Sequence, residues 1–184
     1  DARYLVVPEN ASVPDGLDAD IVVLQQPLDS IYLVSSSVMD QFVALDALDS
    51  IALSGTKQDG WYIDEAKQAM ADGKITYAGK YSAPDYETIY SADCNLAIEN
   101  TMILHTPEVK EQLEHFGIPV LVERSSYESG PLARLEWLKF WGILLGKEEL
   151  AEQEFARQVE RLAPLAEQAF TGKRCAFFSI TANN

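Results

Sequence analysis

Cysteine is nearly absent: Cys94 and Cys175 are the only thiols in 184 residues. They form no CxxC pair and share no metal-ligand spacing, so they offer no zinc or disulfide framework. Both lie next to apolar runs, Leu96-Ala97-Ile98 and Ala176-Phe177-Phe178, and are expected to be inert buried thiols, tolerated in either redox compartment. Histidine is as scarce. His105 and His115 stand ten residues apart with no HExxH pattern, and are expected to cap a helix or lie on the surface. No GxGxxG or GxxxxGK(S/T) loop supports nucleotide binding, and no GxSxG elbow supports a serine nucleophile. Cations are few, with 14 Lys and Arg against 29 Asp and Glu, a net charge of -15. A phosphate backbone needs clustered Lys and Arg, so nucleic acid is excluded as a partner. No apolar run approaches the roughly 20 residues that cross a bilayer as a helix. No secretory leader stands at Asp1, so the protein is either cytosolic or begins after a removed leader.

What is present is a core. Hydrophobic residues make up 47% of the chain, enough for one domain or for one domain and part of another. Short apolar runs recur along it: Tyr4-Leu5-Val6-Val7, Ile21-Val22-Val23-Leu24, Ile31-Tyr32-Leu33-Val34, Ile51-Ala52-Leu53, Ile75-Thr76-Tyr77, Leu96-Ala97-Ile98 and Pro119 to Val122. Between them lie helical patterns: one carrying Val38, Phe42, Val43 and Leu45, one from Asp64 to Ala71 stopped by Gly73, one from Pro84 to Ala92, and one from Pro107 to Phe116 ending at Gly117. Continuous apolar strands alternating with helices predict an α/β fold, an open, parallel, Rossmann-like sheet covered on both faces.

Two successive helices break this rhythm. The first is predicted from Pro131 to Leu145 with Gly146 as its stop, and its apolar residues spread around nearly the whole circumference. Such a helix must be covered on several sides. The second starts near Lys147, carries Leu150, Phe155, Val159 and Leu162 on one face, and should bend or end at Pro164. Its acidic run, Glu148, Glu149, Glu152 and Glu154, reads as a solvated face. After Gly172, Cys175-Ala176-Phe177-Phe178-Ser179-Ile180 has a buried-strand pattern with no crossover helix behind it, which predicts the start of a second lobe. The expected organisation is an α/β ligand-binding lobe over residues 1–130, an inter-lobe helix over 131–146, and the beginning of a truncated second lobe over 147–184.

Ligands of open parallel sheets collect beyond the carboxyl ends of the strands. Here those ends carry Ser35-Ser36-Ser37, the segment from Ser54 to Tyr62, Gly79-Lys80-Tyr81, Glu99-Asn100-Thr101-Met102, and the segment from Glu123 to Glu128. Polar, aromatic and soft groups on one rim suit a binding surface. The Trp61-Tyr62 pair could stack on a flat ligand or pack over the sheet edge.

The stretch from Gly79 to Trp137 resembles the iron-complex and cobalamin type of periplasmic binding protein, the helix-linked substrate-binding components of ABC importers. The resemblance is carried by Pro84-Asp85-Tyr86-Glu87 before a helix, Asn95-Leu96-Ala97-Ile98-Glu99-Asn100-Thr101-Met102 across a strand, and Gly117-Ile118-Pro119-Val120 leading to Glu128. It implies a protein that captures a solute rather than an enzyme. It implies no resident cofactor, an iron-siderophore, haem or corrinoid as cargo, and ABC permease transmembrane subunits as partners. The location it implies is extracytoplasmic, with the membrane reached only through a lipid anchor outside this segment. Carried over by position, it places Ser36, Trp61, Tyr62, Tyr81, Asn100, Thr101, Met102, Arg124 and Tyr127 at the ligand, and Glu87 against arginines of the permease. One departure stands out: Gly130-Pro131-Leu132-Ala133-Arg134 replaces the more usual His-Pro-Leu-Gly-Arg, which puts any ligand contact by that histidine in doubt.

Two rivals come from other classes. A nitrogenase-like metal-cluster enzyme would need cysteines at the carboxyl ends of strands, whereas Cys94 precedes one strand and Cys175 opens another. A cytosolic interaction module would need no small ligand at all.

Overall fold

The structure, a computed structural model, describes residues 2–166, 168–169 and 172–176. Five of the apolar runs pair into one parallel sheet. Its strands are β3 (Ile31–Leu33), β4 (Ile51–Ser54), β5 (Thr76–Tyr77), β8 (Leu96–Glu99) and β9 (Val120–Val122), in the spatial order β5-β4-β3-β8-β9. The chain enters at the central strand β3, steps outward twice, then crosses back to lay β8 on the other side of β3. The order therefore reverses between β3 and β8, which makes that junction the topological switch point.

β1 (Arg3–Val7) and β2 (Ile21–Gln25) stand apart as a two-stranded parallel ribbon. Tyr4 links this ribbon to the sheet edge by donating its hydroxyl to the carbonyl of Val120 at 3.4 Å. A small antiparallel hairpin, β6 (Gly79–Lys80) and β7 (Ala83–Pro84), follows β5. Pro84, expected as an early helical residue, belongs to that hairpin. Helix α3 begins after it at Tyr86 and runs to Ser91, because the side chain of Asp85 takes the N-cap role and accepts from the Thr88 amide.

Alternation along the strands feeds two cores. Ile31, Leu33, Leu96, Ile98 and Leu121 face one layer with Met39 and Phe42 of α1 (Met39–Ala44), Ala66 and Ala69 of α2 (Asp64–Ala71), and Leu138, Trp141 and Leu144 of α5 (Pro131–Leu145). Tyr32, Ala97 and Val120 face the other, with Ile89 of α3 and with Val109 and Leu113 of α4 (Pro107–His115). Between β3 and β4 the register slips, Ile31 lying opposite Ile51 but Tyr32 opposite Leu53, so Ile51 and Leu53 serve opposite layers.

Helix α5 has the predicted bounds. Gly146 takes a left-handed conformation at its end (φ 65°), as a C-terminal stop requires. Gln26 donates to the carbonyls of both Ile143 and Leu144 at 3.0 Å, satisfying two acceptors of the last turn. Trp141 is wholly buried, while Leu132 and Ile143 on the opposite side stay exposed. Helix α6 (Glu148–Ala166) crosses α5 so closely that a Cβ on Gly142 would lie 2.5 Å from the Cβ of Ala151. The end expected at Pro164 comes two residues later, at Ala166. The proline sits in the last turn, where the bond it removes is one of the few the helix has left to make. Cys175 is exposed rather than buried. The predicted strand opening at Cys175 has no strand conformation at Cys175 and Ala176, and its residues 177–180 lie outside the described residues.

Candidate ligand-binding rim

The strands β3, β8 and β9 each lead into a short helical turn, so the side chains beyond them are held by ordered elements. After β3, the turn Ser36–Val38 exposes Ser36 and Ser37 and buries Val38. After β8, Asn100 caps the turn Thr101–His105 by accepting from the Met102 amide at 2.9 Å. Its side-chain oxygen is thus committed to the backbone, and Asn100 shapes the rim. Met102 and Leu104 project from the same turn at 45% and 54% exposure. After β9, the turn Ser125–Tyr127 presents Tyr127 at 70% exposure. Thr101 and Tyr127 meet across these two turns, hydroxyl to hydroxyl at 3.2 Å. The Arg124 guanidinium lies over the Tyr127 ring, 5.9 Å from its centre. The structure therefore gathers Ser36, Asn100, Thr101, Met102, Arg124 and Tyr127 on the turns that follow β3, β8 and β9, the strands flanking the switch point.

The other predicted residues lie on different elements. Tyr62 is almost fully exposed beyond β4, and Tyr81 follows β6, half-buried against the second core. Trp61 is a correction. It is only 4% exposed, packs in the first core, and donates its indole N–H to Ser54 at 3.3 Å. Of the two alternatives for the Trp61-Tyr62 pair, Trp61 supports the sheet from below and Tyr62 alone offers a free ring. Glu87 is exposed in the first turn of α3, lining a groove of about 510 Å³ with Lys74, Thr76 and Ser91 that no rim residue enters. At the Gly130 position a Cβ would meet nothing within 4 Å, so there is room for the side chain the resemblance expects.

Two acids closing apolar strands escaped selection as site residues. Glu123 is buried after β9 and accepts from Ser35 at 2.9 Å, from Ser37 at 3.0 Å and from the Ser125 amide. Glu99 ends β8 with no exposure, and neither carboxyl oxygen has a hydrogen-bond partner among the described residues. Burial alone pushes its pKa up to about 8, so it is neutral at pH 7. Burial is the chief cause that raises the phenols of Tyr32 and Tyr86, and the Glu99 carboxylate, once ionised above its own pKa, raises them further. The sequence signal for both was an acid following an apolar run without a break.

The two histidines are exposed, at the end of the Thr101–His105 turn and at the end of α4. Among the described residues no group of three or more His, Cys, Asp or Glu could hold a metal ion, and no helix is long and apolar enough to cross a membrane.

No protein-family model matches the chain. An uncharacterised lipoprotein of Methanocaldococcus jannaschii is 22% identical over 169 residues, covering 84% of this chain and 39% of that protein. Among solved structures, a periplasmic haem-binding protein from Pseudomonas aeruginosa superposes with a TM-score of 0.55 at 19% identity, over 76% of this chain and 46% of its own. The iron-uptake ABC transporter substrate-binding protein PiuA from Streptococcus pneumoniae gives a TM-score of 0.61 at 17% identity, over 75% of this chain and 46% of its own. The chain thus has the fold of one lobe of the two solved proteins and spans less than half the length of each of the three.

Proposed function

We propose that this chain is the first lobe and connecting helix of an extracytoplasmic solute-binding protein that delivers a metal chelate to an ABC importer. The observation that carries the reading is the concentration of exposed Ser36, Met102, Arg124 and Tyr127 on the turns flanking the switch point, the place where open α/β sheets take ligands. The fold shared with haem- and iron-binding substrate-binding proteins supports it, and so does the likeness to a lipoprotein, which fits a lipid-anchored or periplasmic location.

In this reading α5 joins the lobe over 1–130 to a second lobe that starts in 147–184, and the cargo sits between the two strand-end rims. A continuous helix absorbs little φ/ψ change, so loading involves small rocking of a nearly preformed cleft. Tyr62, Tyr81 and Tyr127 supply amphipathic ring area at low entropic cost, Met102 supplies an adaptable apolar contact, and Arg124 offers a cation at the edge. Iron-siderophores, haem and corrinoids are the cargo classes that the resemblance implies. Glu87, exposed and remote from the rim, pairs with permease arginines, where a carboxylate gains orientation as well as energy. The work is capture and hand-over, and no bond of the cargo is made or broken.

The test is a thermal-shift and titration screen of the full-length protein against ferric siderophores, haem and cobalamin. A ligand of the native state at a hundred times its Kd stabilises by about 2.7 kcal/mol, so one class should raise Tm clearly and saturably. Silence across all three classes would overturn the chelate reading.

A further inference from the structure

Glu123 occupies an unusual position. Its carboxyl lies under the switch point, 3% exposed, and its hydrogen bonds run to two different strand ends. One oxygen accepts from Ser35 at 2.9 Å and from Ser37 at 3.0 Å, both beyond β3. The other accepts from the amide of Ser125, beyond β9. Its own backbone amide donates to the carbonyl of Glu99 at 2.8 Å, at the end of β8 between them. One residue therefore fastens three neighbouring strand ends. Two hydroxyls and one amide face the carboxyl, three groups able to donate to it.

This arrangement also sets polarity. The Ser35 and Ser37 oxygens are 3.0 Å apart and both lie at hydrogen-bond distance from the same carboxylate oxygen. However the two hydroxyl protons are shared among these atoms, both point inward. Ser37 is exposed, so what it turns to the crevice is an oxygen with lone pairs, backed by a buried negative charge. An acceptor backed by a carboxylate attracts hydrogen-bond donors and cations and repels carboxylates.

We propose that Glu123 is the positioning residue of the rim, tying the turns Ser36–Val38 and Ser125–Tyr127 across the switch point, and that it makes the crevice at Ser37 select a donor-bearing or cationic face of the ligand. The ligand clause rests on the capture reading, while the positioning clause stands without it.

The experiment uses the full-length protein and two variants. In Glu123→Ala the amides of residues 36–38 and 125–127 should exchange at least about tenfold faster, the scale of one lost hydrogen bond, with the β3 amides unchanged. In Glu123→Gln the side-chain oxygen still takes the Ser125 amide, while the NH2 donates to the serines and forces their protons outward. Amide protection should then persist in both turns. The affinity ratio between a cationic ferric trihydroxamate and an anionic ferric tris-catecholate should nevertheless fall about tenfold. Unchanged exchange in the alanine variant overturns the positioning role, and an unchanged ratio in the glutamine variant overturns the polarity. A wild-type protein that binds neither chelate removes the ligand clause together with the capture reading for these chelates, and the exchange measurement still decides the positioning clause.

Discussion

The hydroxyl of Tyr32, on the central strand, donates to the carbonyl of Gly79 at 2.9 Å and so ties the middle of the sheet to the hairpin that carries Tyr81. Gly79 holds a positive φ of 85°, and a Cβ there would meet the Ala83 carbonyl at 2.3 Å. The hairpin thus depends on a glycine for its shape and on a buried tyrosine for its attachment. Tyr32→Phe removes one hydrogen bond and leaves a carbonyl unpaired, a loss of about 1–3 kcal/mol. Denaturant unfolding should show that loss, and amide exchange should show the hairpin released before the strands.

Gly142 places α5 against α6, with the Ala151 Cβ occupying the space its own Cβ would need. Gly142→Ala improves intrinsic helix propensity by about 1 kcal/mol, yet it forces two helices apart. Overpacking costs about 1–3 kcal/mol, so the net effect should be destabilising. An unchanged or higher midpoint of urea unfolding would show that the helix pair accommodates a methyl group at no cost.

Most of this architecture was legible in the sequence, and the reason is local. Pro131 at the first turn and Gly146 beyond the last, around an apolar stretch, bound α5 by chemistry that acts within a few residues. Asp64 to Ala71 before Gly73 is the same kind of signal. The hairpin was missed because β6 and β7 are two residues each, too short for any period to show, and Pro84 is as acceptable in a hairpin as in a helix. At the rim, the turns were legible and their contents were not. That Trp61 turns inward, and that Glu123 meets Ser35 from 88 residues away, depends on which face each strand end presents. Facing is set by the register between strands, which no single run of residues specifies.

The two thiols should differ sharply in reactivity. Cys94 is buried, and burial pushes its thiol pKa up to about 11, whereas Cys175 is exposed. The thiolate is the reacting form. A maleimide or aromatic disulfide at pH 7.5 should therefore label one cysteine rapidly and the second only on unfolding. Mass spectrometry of the labelled peptides checks the order, and rapid labelling of Cys94 in the folded protein would contradict its enclosure.

If Glu87 serves the permease, its role must separate from capture. Glu87 is exposed and lines a groove distinct from the rim. Glu87→Arg should leave ligand affinity and Tm within error, since surface substitutions cost at most about 0.5 kcal/mol. Uptake in whole cells or stimulation of importer ATPase should fall by tenfold or more, because a carboxylate–arginine pair becomes a like-charge clash. Loss of ligand binding in this variant would instead place Glu87 within the capture apparatus.

Glu99 makes the sharpest prediction about pH. Burial raises its pKa in the folded protein to about 8, while the unfolded chain titrates near the ordinary value of about 4.3. Between those values the folded state keeps a proton that the unfolded state has lost. Stability on this account is fully present below pH 4 and declines as pH rises, by about 1.4 kcal/mol for each unit through that window. Above pH 8 both states are ionised and the decline stops. The groups around the carboxyl are the phenols of Tyr32 and Tyr86 and, in the same layer, the thiol of Cys94, all raised by burial and neutral throughout. Glu108, whose field reaches Tyr86, is exposed in the first turn of α4. The slope therefore belongs to Glu99. Glu99→Gln keeps the shape and removes the proton exchange, so the stability difference between wild type and variant should narrow or reverse steadily from pH 5 to pH 8. Parallel pH dependences for the two proteins would mean that the carboxyl is ionised in the folded state, with a partner or water that stabilises its charge.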